Sequence, residues 1–251
     1  MAPMKQAMEF RLIRLKACGS TNDEARALAR AGAAEGTVVV AEEQTSGRGT
    51  KGRSWHSPAG LGLYASLVLR PPSSAVLPLL PLAAGLAARE AVDQEAGLAA
   101  GLRWPNDIVF GGKKLGGILC ETEFSGTEAV FAVVGLGLNL AHRPADFPDK
   151  IRDLAVSVAM AGGRVRPEAL LEAYLAEIEA WVGDLTEGRP ARLIRAFEIH
   201  HVLEPGDRAA VDTGRGVREG RYLGLADDGR IRLAFEEGEV RFASADIVRL
   251  E

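Results

Sequence analysis

Residues 45–55, TSGRGTKGRSW, admit two nucleotide-binding readings and a third without a name. Gly47, Gly49 and Gly52 satisfy the dinucleotide spacing G-x-G-x-x-G. Gly47 and Gly52 followed by Arg53 and Ser54 form a P-loop with arginine in place of its lysine. Both loops must open a helix whose N-terminus faces the phosphates, and the dinucleotide site also needs an acid about 20 residues further on. The chain instead continues as SWHSPAGLGLYAS (54–66), with Pro58, Gly60 and Gly62 where that helix would begin, and no Asp or Glu occurs between Glu43 and Glu90. The stretch therefore joins two strands, TVVVAEE (37–43) and LGLYASLVLRP (61–71). This makes the fold a mixed α/β sheet rather than a doubly wound one.

The loop keeps a chemistry of its own. Arg48, Lys51 and Arg53 are interleaved with the three glycines, which brings cations and approachable backbone N–H groups to one anion-sized space. Mutual repulsion and glycine entropy predict a mobile segment over residues 46–57 when no ligand is bound. The plainer alternative is a solvated basic loop with no special role.

Working outward, EFRLIRLK (9–16) reads as a strand and STNDEARALARAG (20–32) as a helix. Ser20 or Thr21 is its N-cap, with Asp23 or Glu24 at capping-box spacing. The apolar run AVLPLLPLAAGLAA (75–88) is short and interrupted by Pro78 and Pro81, so it marks a core helix over 81–96 rather than a membrane span. The pieces GLRW (101–104), DIVF (107–110), KLGGILCETE (114–123) and EAVFAVVGLGLNL (128–140) are strands joined by turns at Gly111-Gly112 and Ser125-Gly126. Residues 141–167 are irregular. Leu171, Tyr174, Leu175, Ile178, Trp181 and Leu185 form one apolar helical stripe, and PARLIRAFEIHH (190–201) is a second helix. From Val202 onward, Gly and Asp-Gly turns separate short strands, the pattern of a small antiparallel barrel. The chain thus divides into a main domain at 1–201 and a barrel at 202–251.

A chain of 251 residues, 47% apolar and 25% charged, has the composition of a soluble globular protein. Its net charge of −4, with eleven acids against eight arginines over 202–251, argues against general nucleic-acid binding. Cys18 and Cys120, the only cysteines, form neither a disulfide framework nor a metal cluster, which suits a reducing cytoplasm. The opening MAPMKQAMEFRLIRLK (1–16) has no apolar stretch for a signal peptide.

A second polar cluster lies in RWPNDIVFGGKKLGGILCE (103–121). Asn106 and Asp107 at a turn suit Mg²⁺ or a ribose, and Lys114 one hairpin away suits a phosphate or carboxylate. Pro-Asn-Asp is also ordinary turn chemistry, and Lys113 or Lys114 alone is an ordinary surface charge.

Taken together, STN (20–22), EEQTSGRGTKGRSW (42–55), RWPNDI (103–108), KLGGIL (114–119) and GLGLNL (135–140) resemble, in kind and order, the motifs of the biotin protein ligases. The resemblance covers nearly the whole chain. It implies a class II synthetase-like α+β catalytic domain, its mixed sheet covered by helices on one face, followed by an SH3-like barrel. With residues 1–16 leaving no room for a helix-turn-helix, the expectation is the short class without a DNA-binding domain, hence no repressor role. The implied activity uses ATP to convert biotin to biotinyl-5′-AMP, then passes biotin to a lysine of a biotin carboxyl carrier protein. A homodimer is compatible with this reading.

The resemblance also implies residue roles. Ser20, Thr21, Asn22 and Gln44 match biotin-binding positions, although N-capping and a solvated loop amide are their plainer roles. Arg48 and Arg53 match the loop's outer arginines, with Gly49, Thr50 and Lys51 between them. Lys114, Arg48 and Asp107 match the catalytic positions, and Asp107 also the metal position, with Mg²⁺ as the ion. Gly116 and Gly117 leave space beside biotin. Lys51, Arg53, Trp55, Trp104, Asn106 and Asn139 match the ATP site, with both tryptophans flanking adenine unless they are core residues. Arg103 replaces a lysine and keeps the charge. Thr50 stands where the family has an arginine that encloses the adenylate. A lipoate or octanoate ligase or transferase shares the fold and carrier chemistry, and a non-catalytic biotin sensor would share the pocket. The loop, the WPND element and the barrel favour the biotin ligase.

Overall fold

The computed structural model describes residues 7–71, 73–212 and 216–249. The first six residues, and residues 213–215 and 250–251 of the expected barrel, lie outside the described residues. In chain order the main elements are β1 (Arg11–Cys18), α1 (Thr21–Arg30), β2 (Thr37–Gln44), β3 (Gly62–Leu69), α2 (Leu80–Ala96), β4 (Gly101–Arg103), β5 (Asp107–Phe110), β6 (Lys113–Ser125) and β7 (Glu128–Asn139). Then come α3 (Asp149–Arg152), α4 (Pro167–Thr186), α5 (Pro190–His200), β8 (Arg208–Asp212), β9 (Val217–Leu225), β10 (Ile231–Phe235), β11 (Gly238–Phe242) and β12 (Asp246–Arg249).

The first seven strands form one sheet in the order β1-β2-β3-β7-β6-β5-β4. Only β1 and β2 are parallel, because α1 carries the chain back between them. The other neighbours are antiparallel and joined by the predicted turns or longer loops. The basic glycine stretch lies between β2 and β3 and opens no helix beyond a single 3₁₀ turn at Thr50–Gly52.

Alternation along the strands sorts the side chains onto two faces. Leu63, Leu67, Leu69, Val134, Leu136 and Ile118 point into the large core, where α2 and α4 pack together and α5 joins them. The long helices therefore share one face, as expected. α1 is the exception: Ala25 and Ala29 pack against Val39, Val68, Phe131 and Val133 on the opposite face. α1 leaves part of that face open, and the polar clusters meet there.

A bulge in β6 sets this up. Ile108 pairs with Gly116 and Val109 with Lys114, leaving Leu115 as the extra residue. Leu115 and Ile118 both enter the core, whereas Lys114, Gly117 and Leu119 line the open face. Without the extra residue, Lys114 and Leu119 would fall on opposite faces.

The segment Ser74–Ala96, a 3₁₀ turn running into α2, is long and apolar enough to cross a membrane by length and composition. Its Leu80, Leu82, Leu86, Ala87 and Val92 are instead buried in the core. The segment between β7 and α4, read as irregular, contains α3 and a 3₁₀ turn at Pro144–Asp146.

β8–β12 form an antiparallel sheet in the order β11-β10-β9-β8-β12. Its Val211, Tyr222, Ile231, Leu233 and Ile247 belong to the same buried cluster as α2. Two hydrogen bonds fix this junction. Trp104 N–H donates to His201 Nε2 at 3.2 Å, and the Trp104 indole donates to the Gly229 carbonyl at 2.9 Å.

His201 accepts on Nε2, so its proton sits on Nδ1, toward the Leu203 carbonyl at 3.3 Å. Burial pushes its pKa down to about 4, and burial does the same to His142, stacked on Phe147. The native state thus binds fewer protons than the unfolded chain between the ordinary histidine value and about 4. Stability is full above that window and falls as the pH drops through it, by up to about 3 kcal/mol per histidine. Urea denaturation at about pH 7 and about pH 4.5 should show this loss, and it should be smaller in His201→Gln, which keeps an acceptor but does not titrate. An unchanged loss in that variant would exclude His201 as a source.

Candidate active site

The open face carries two adjoining pockets that share Gly49, Thr50, Trp55 and Lys114. The inner one is tight, about 40 Å³, and lies between the start of α1, the glycine loop and the middle of β6 and β7. The outer one, about 290 Å³, is walled by Trp55, His56, Phe147, Ile151 and Leu154, with Arg53 and Lys114 at its polar side.

Of the predicted positions, Ser20, Thr21, Asn22, Gln44, Arg48, Asn106 and Gly117 line the inner pocket. Ser20 occupies the N-cap of α1, but its side chain makes no capping hydrogen bond, so the capping-box expectation fails and the hydroxyl stays with the pocket. Gln44 Oε1 accepts from Thr21 N at 2.8 Å and from Thr21 Oγ1 at 3.0 Å, while its Nε2 donates to Ser57 Oγ at 2.8 Å. Ser66 Oγ lies 2.8 Å from Thr21 Oγ1 and 2.6 Å from Asn22 Oδ1.

Two glycines make this packing possible. A Cβ on Gly135 would come within 2.2 Å of Asn22 Oδ1, and one on Gly137 within 2.5 Å of Trp55 Nε1. Their spacing of two on one strand is the signal in the sequence that could have marked them. Ser57, Ser66 and Glu121 carry no such signal, since an isolated Ser or Glu forms no motif.

Lys114 is the only charged side chain among the described residues that lines both pockets. Its Nζ lies 2.5 Å from Asp107 Oδ1 and 5.5 Å from the centre of the Trp55 ring. The glycine loop, expected to be mobile, has each of its cations tied to an acid from another element. Arg48 forks onto Glu121 at 2.8 and 2.9 Å and reaches Asp23 at 2.6 Å. Lys51 and Arg53 meet Asp246 of β12 at 3.1 and 3.2 Å.

Several of the predicted positions lie away from these two pockets or are held by other contacts. Lys51, held by Asp246 with a left-handed φ of 57°, lines neither pocket. Gly116 faces the core side, where a Cβ would meet Leu138 Cδ2 at 2.4 Å, so it serves strand packing rather than ligand space. Trp104 lines neither of these two pockets: it is buried at the barrel junction, where it lines a third pocket together with Thr50 and Asn106. Trp104→Phe should lower stability by about 1–2 kcal/mol through the lost indole bond and leave the KM for ATP within about twofold. A raised KM with unchanged thermal stability would return Trp104 to the nucleotide site. Asn139 does line the outer pocket, but its amide donates to the Val156 carbonyl at 3.1 Å and the Lys114 carbonyl at 3.4 Å, which ties the wall to β6. The Asn106 amide likewise donates to the Ile118 carbonyl at 2.7 Å.

Comparison with known proteins decides what this geometry belongs to. A family model for the biotin/lipoate A/B protein ligase family matches residues 19–139. The bifunctional ligase/repressor BirA of Bacillus subtilis is 35% identical over 246 residues, 96% of this chain and 75% of that protein. This chain belongs to the biotin protein ligase family. A biotin–[acetyl-CoA-carboxylase] ligase of Paracoccus denitrificans is 34% identical, with 91% of this chain and 96% of that protein covered. Among solved structures, the biotin protein ligase of Aquifex aeolicus in complex with biotin and ATP superposes with a TM-score of 0.83 at 30% identity, covering 95% of this chain and 99% of that one. The family's matched segment spans both walls of the inner pocket, from Gly19 before α1 to Asn139 at the end of β7.

Proposed function

We propose that this chain is an ATP-dependent biotin protein ligase that activates biotin as biotinyl-5′-AMP and transfers it to a lysine of a biotin carboxyl carrier protein. The observation that carries the reading is Lys114, placed where an inner polar pocket meets an outer apolar one. Two donors on pocket-lining residues, Arg48 Nε and Trp55 Nε1, are buried without a hydrogen-bond partner, as expected of a site shaped around a ligand.

In this reading the inner pocket takes biotin, with Ser20, Thr21 and Gln44 meeting the ureido group. The outer pocket takes adenine between Trp55 and Phe147, and Arg53 meets phosphate oxygens. A biotin carboxylate oxygen attacks the α-phosphorus, the bond to the β-phosphate breaks, and pyrophosphate leaves. Two anions approach one another in that step, so a fixed cation at their meeting point lowers the barrier. Lys114 supplies it, and Asp107 holds Lys114 in place. In the second step the neutral ε-amine of the carrier lysine attacks the anhydride carbonyl and AMP leaves.

Among the described residues there is no cluster of three metal-ligating side chains. Mg²⁺ brought in by ATP takes few protein ligands, and Asp107, which also pairs with Lys114, would be the residue that holds it. When bound, the ion adds charge neutralisation at the phosphates. The reading needs no DNA contact, no membrane and no second copy of the chain, and it places the protein in the cytoplasm.

A purified carrier domain incubated with the protein, ATP, Mg²⁺ and biotin should become reactive to streptavidin. Replacing biotin by lipoate should give no pyrophosphate. Lipoyl transfer without biotinyl transfer would assign the site to the other branch of the family.

A further inference from the structure

Glu121 lies on β6 beyond the bulge, on the face that carries the inner pocket, yet it belongs to none of the motifs. Its carboxylate receives every hydrogen bond such a group readily accepts. Arg48 Nη1 donates to Oε1 at 2.9 Å and Arg48 Nη2 to Oε2 at 2.8 Å, while Asn22 Nδ2 donates to Oε2 at 2.8 Å. Arg26 pairs with Oε1. Burial raises the affinity of this carboxyl for a proton, but the hydrogen bonds from Asn22, Arg48 and Arg26 outweigh it and hold the pKa below the usual glutamate range.

These partners come from two separate walls of the pocket: α1 supplies Asn22 and Arg26, and the glycine loop supplies Arg48. The other Asn22 Nδ2 proton goes to the Leu119 carbonyl at 3.2 Å, and Oδ1 lies 2.6 Å from Ser66 Oγ, so the Asn22 amide is anchored at both ends. Arg48, for its part, is a guanidinium whose charge is already met by a bidentate carboxylate. The Glu121 end of the pocket is therefore pinned. At the far end, Trp55 has no hydrogen bond on its indole nitrogen.

We propose that Glu121 is the positioning residue of the biotin pocket: it locks the Arg48 fork and the Asn22 amide into one wall, so Arg48 acts as a strut rather than as a phosphate-neutralising charge. The proposal rests on the ligase reading of the same site.

The test compares wild type, Glu121→Gln and Arg48→Lys in pyrophosphate release and in calorimetric biotin binding without ATP. Glu121→Gln should raise the KM for biotin about tenfold, weaken biotin binding alike, and leave kcat at saturating biotin and the KM for ATP within about twofold. Arg48→Lys keeps the charge but loses the fork, and should raise the KM for biotin and weaken biotin binding as Glu121→Gln does. It also serves if Glu121→Gln fails to fold. The double variant should be no worse than either single one, because both break the same pair. A silent Arg48→Lys, an unchanged or lowered biotin KM, additive effects, or a loss confined to kcat or to ATP would each overturn the proposal. If wild type binds biotin but releases no pyrophosphate with ATP, the ligase reading fails, and the calorimetric comparison still tests Glu121.

Discussion

Lys114→Ala should abolish most adenylation while leaving the protein folded. The side chain is about one-third exposed and meets Asp107 and the face of Trp55. Removing it takes away a charge, not a packing element. Where negative charges converge, losing one preorganised stabiliser typically raises the barrier by about 3–4 kcal/mol, a few hundred-fold in rate. The loss should fall on kcat, because the stabilisation is greatest once both anions are together, and biotin binding should change little. Asp107 would be left without its partner but partly exposed, so the thermal midpoint should move by only a few degrees. Pyrophosphate release within about threefold of wild type would remove Lys114 from the chemistry and leave Arg53 as the remaining cation of the outer pocket.

The residues whose geometry mattered most were legible in unequal degrees. The glycine stretch could be read because Pro58 and the glycines after it forbid a helix, and a local prohibition of that kind needs no tertiary knowledge. α4 was legible from its stripe. The partners of the loop's cations were not. Asp23, Glu121 and Asp246 come from a helix, a central strand and the last described strand, so a loop without local acids proved to be neutralised from three distant elements. The faces of β6 were hidden by the bulge, since plain alternation sets Lys114 opposite Glu121. The surroundings of Trp104 were not legible either, because its ring turns toward the barrel while its sequence neighbour Asn106 lines the inner pocket. Motifs identify which residues cluster, but the direction of each side chain depends on register.

Thr50→Arg should slow escape of the activated intermediate. Biotinyl-5′-AMP is a mixed anhydride that reacts with any exposed amine, so an enzyme must enclose it until the carrier arrives. Thr50 lines both pockets, at the position to which the loop's resemblance assigns an enclosing arginine. Its Oγ1 instead accepts a hydrogen bond from Arg53 at 3.2 Å, a contact within the loop that cannot reach across to a phosphate. Lys51, the adjacent cation, is turned onto Asp246 and lines neither pocket. For Lys51 to serve in the arginine's place, that pair must break, and the planar fork that suits a phosphate is still missing. Wild type should therefore release adenylate and label bystander lysines without selecting a carrier. An arginine at this position adds a charge-assisted contact worth about 1.5–3 kcal/mol, roughly ten- to a hundred-fold in escape rate. The measurement is biotinylation of an unrelated, lysine-rich protein by wild type and Thr50→Arg at matched rates of pyrophosphate release. Low and equal background from both would mean that the intermediate is already held, and Lys51 leaving Asp246 when the nucleotide binds is then the mechanism to test, with Lys51→Ala expected to raise the background.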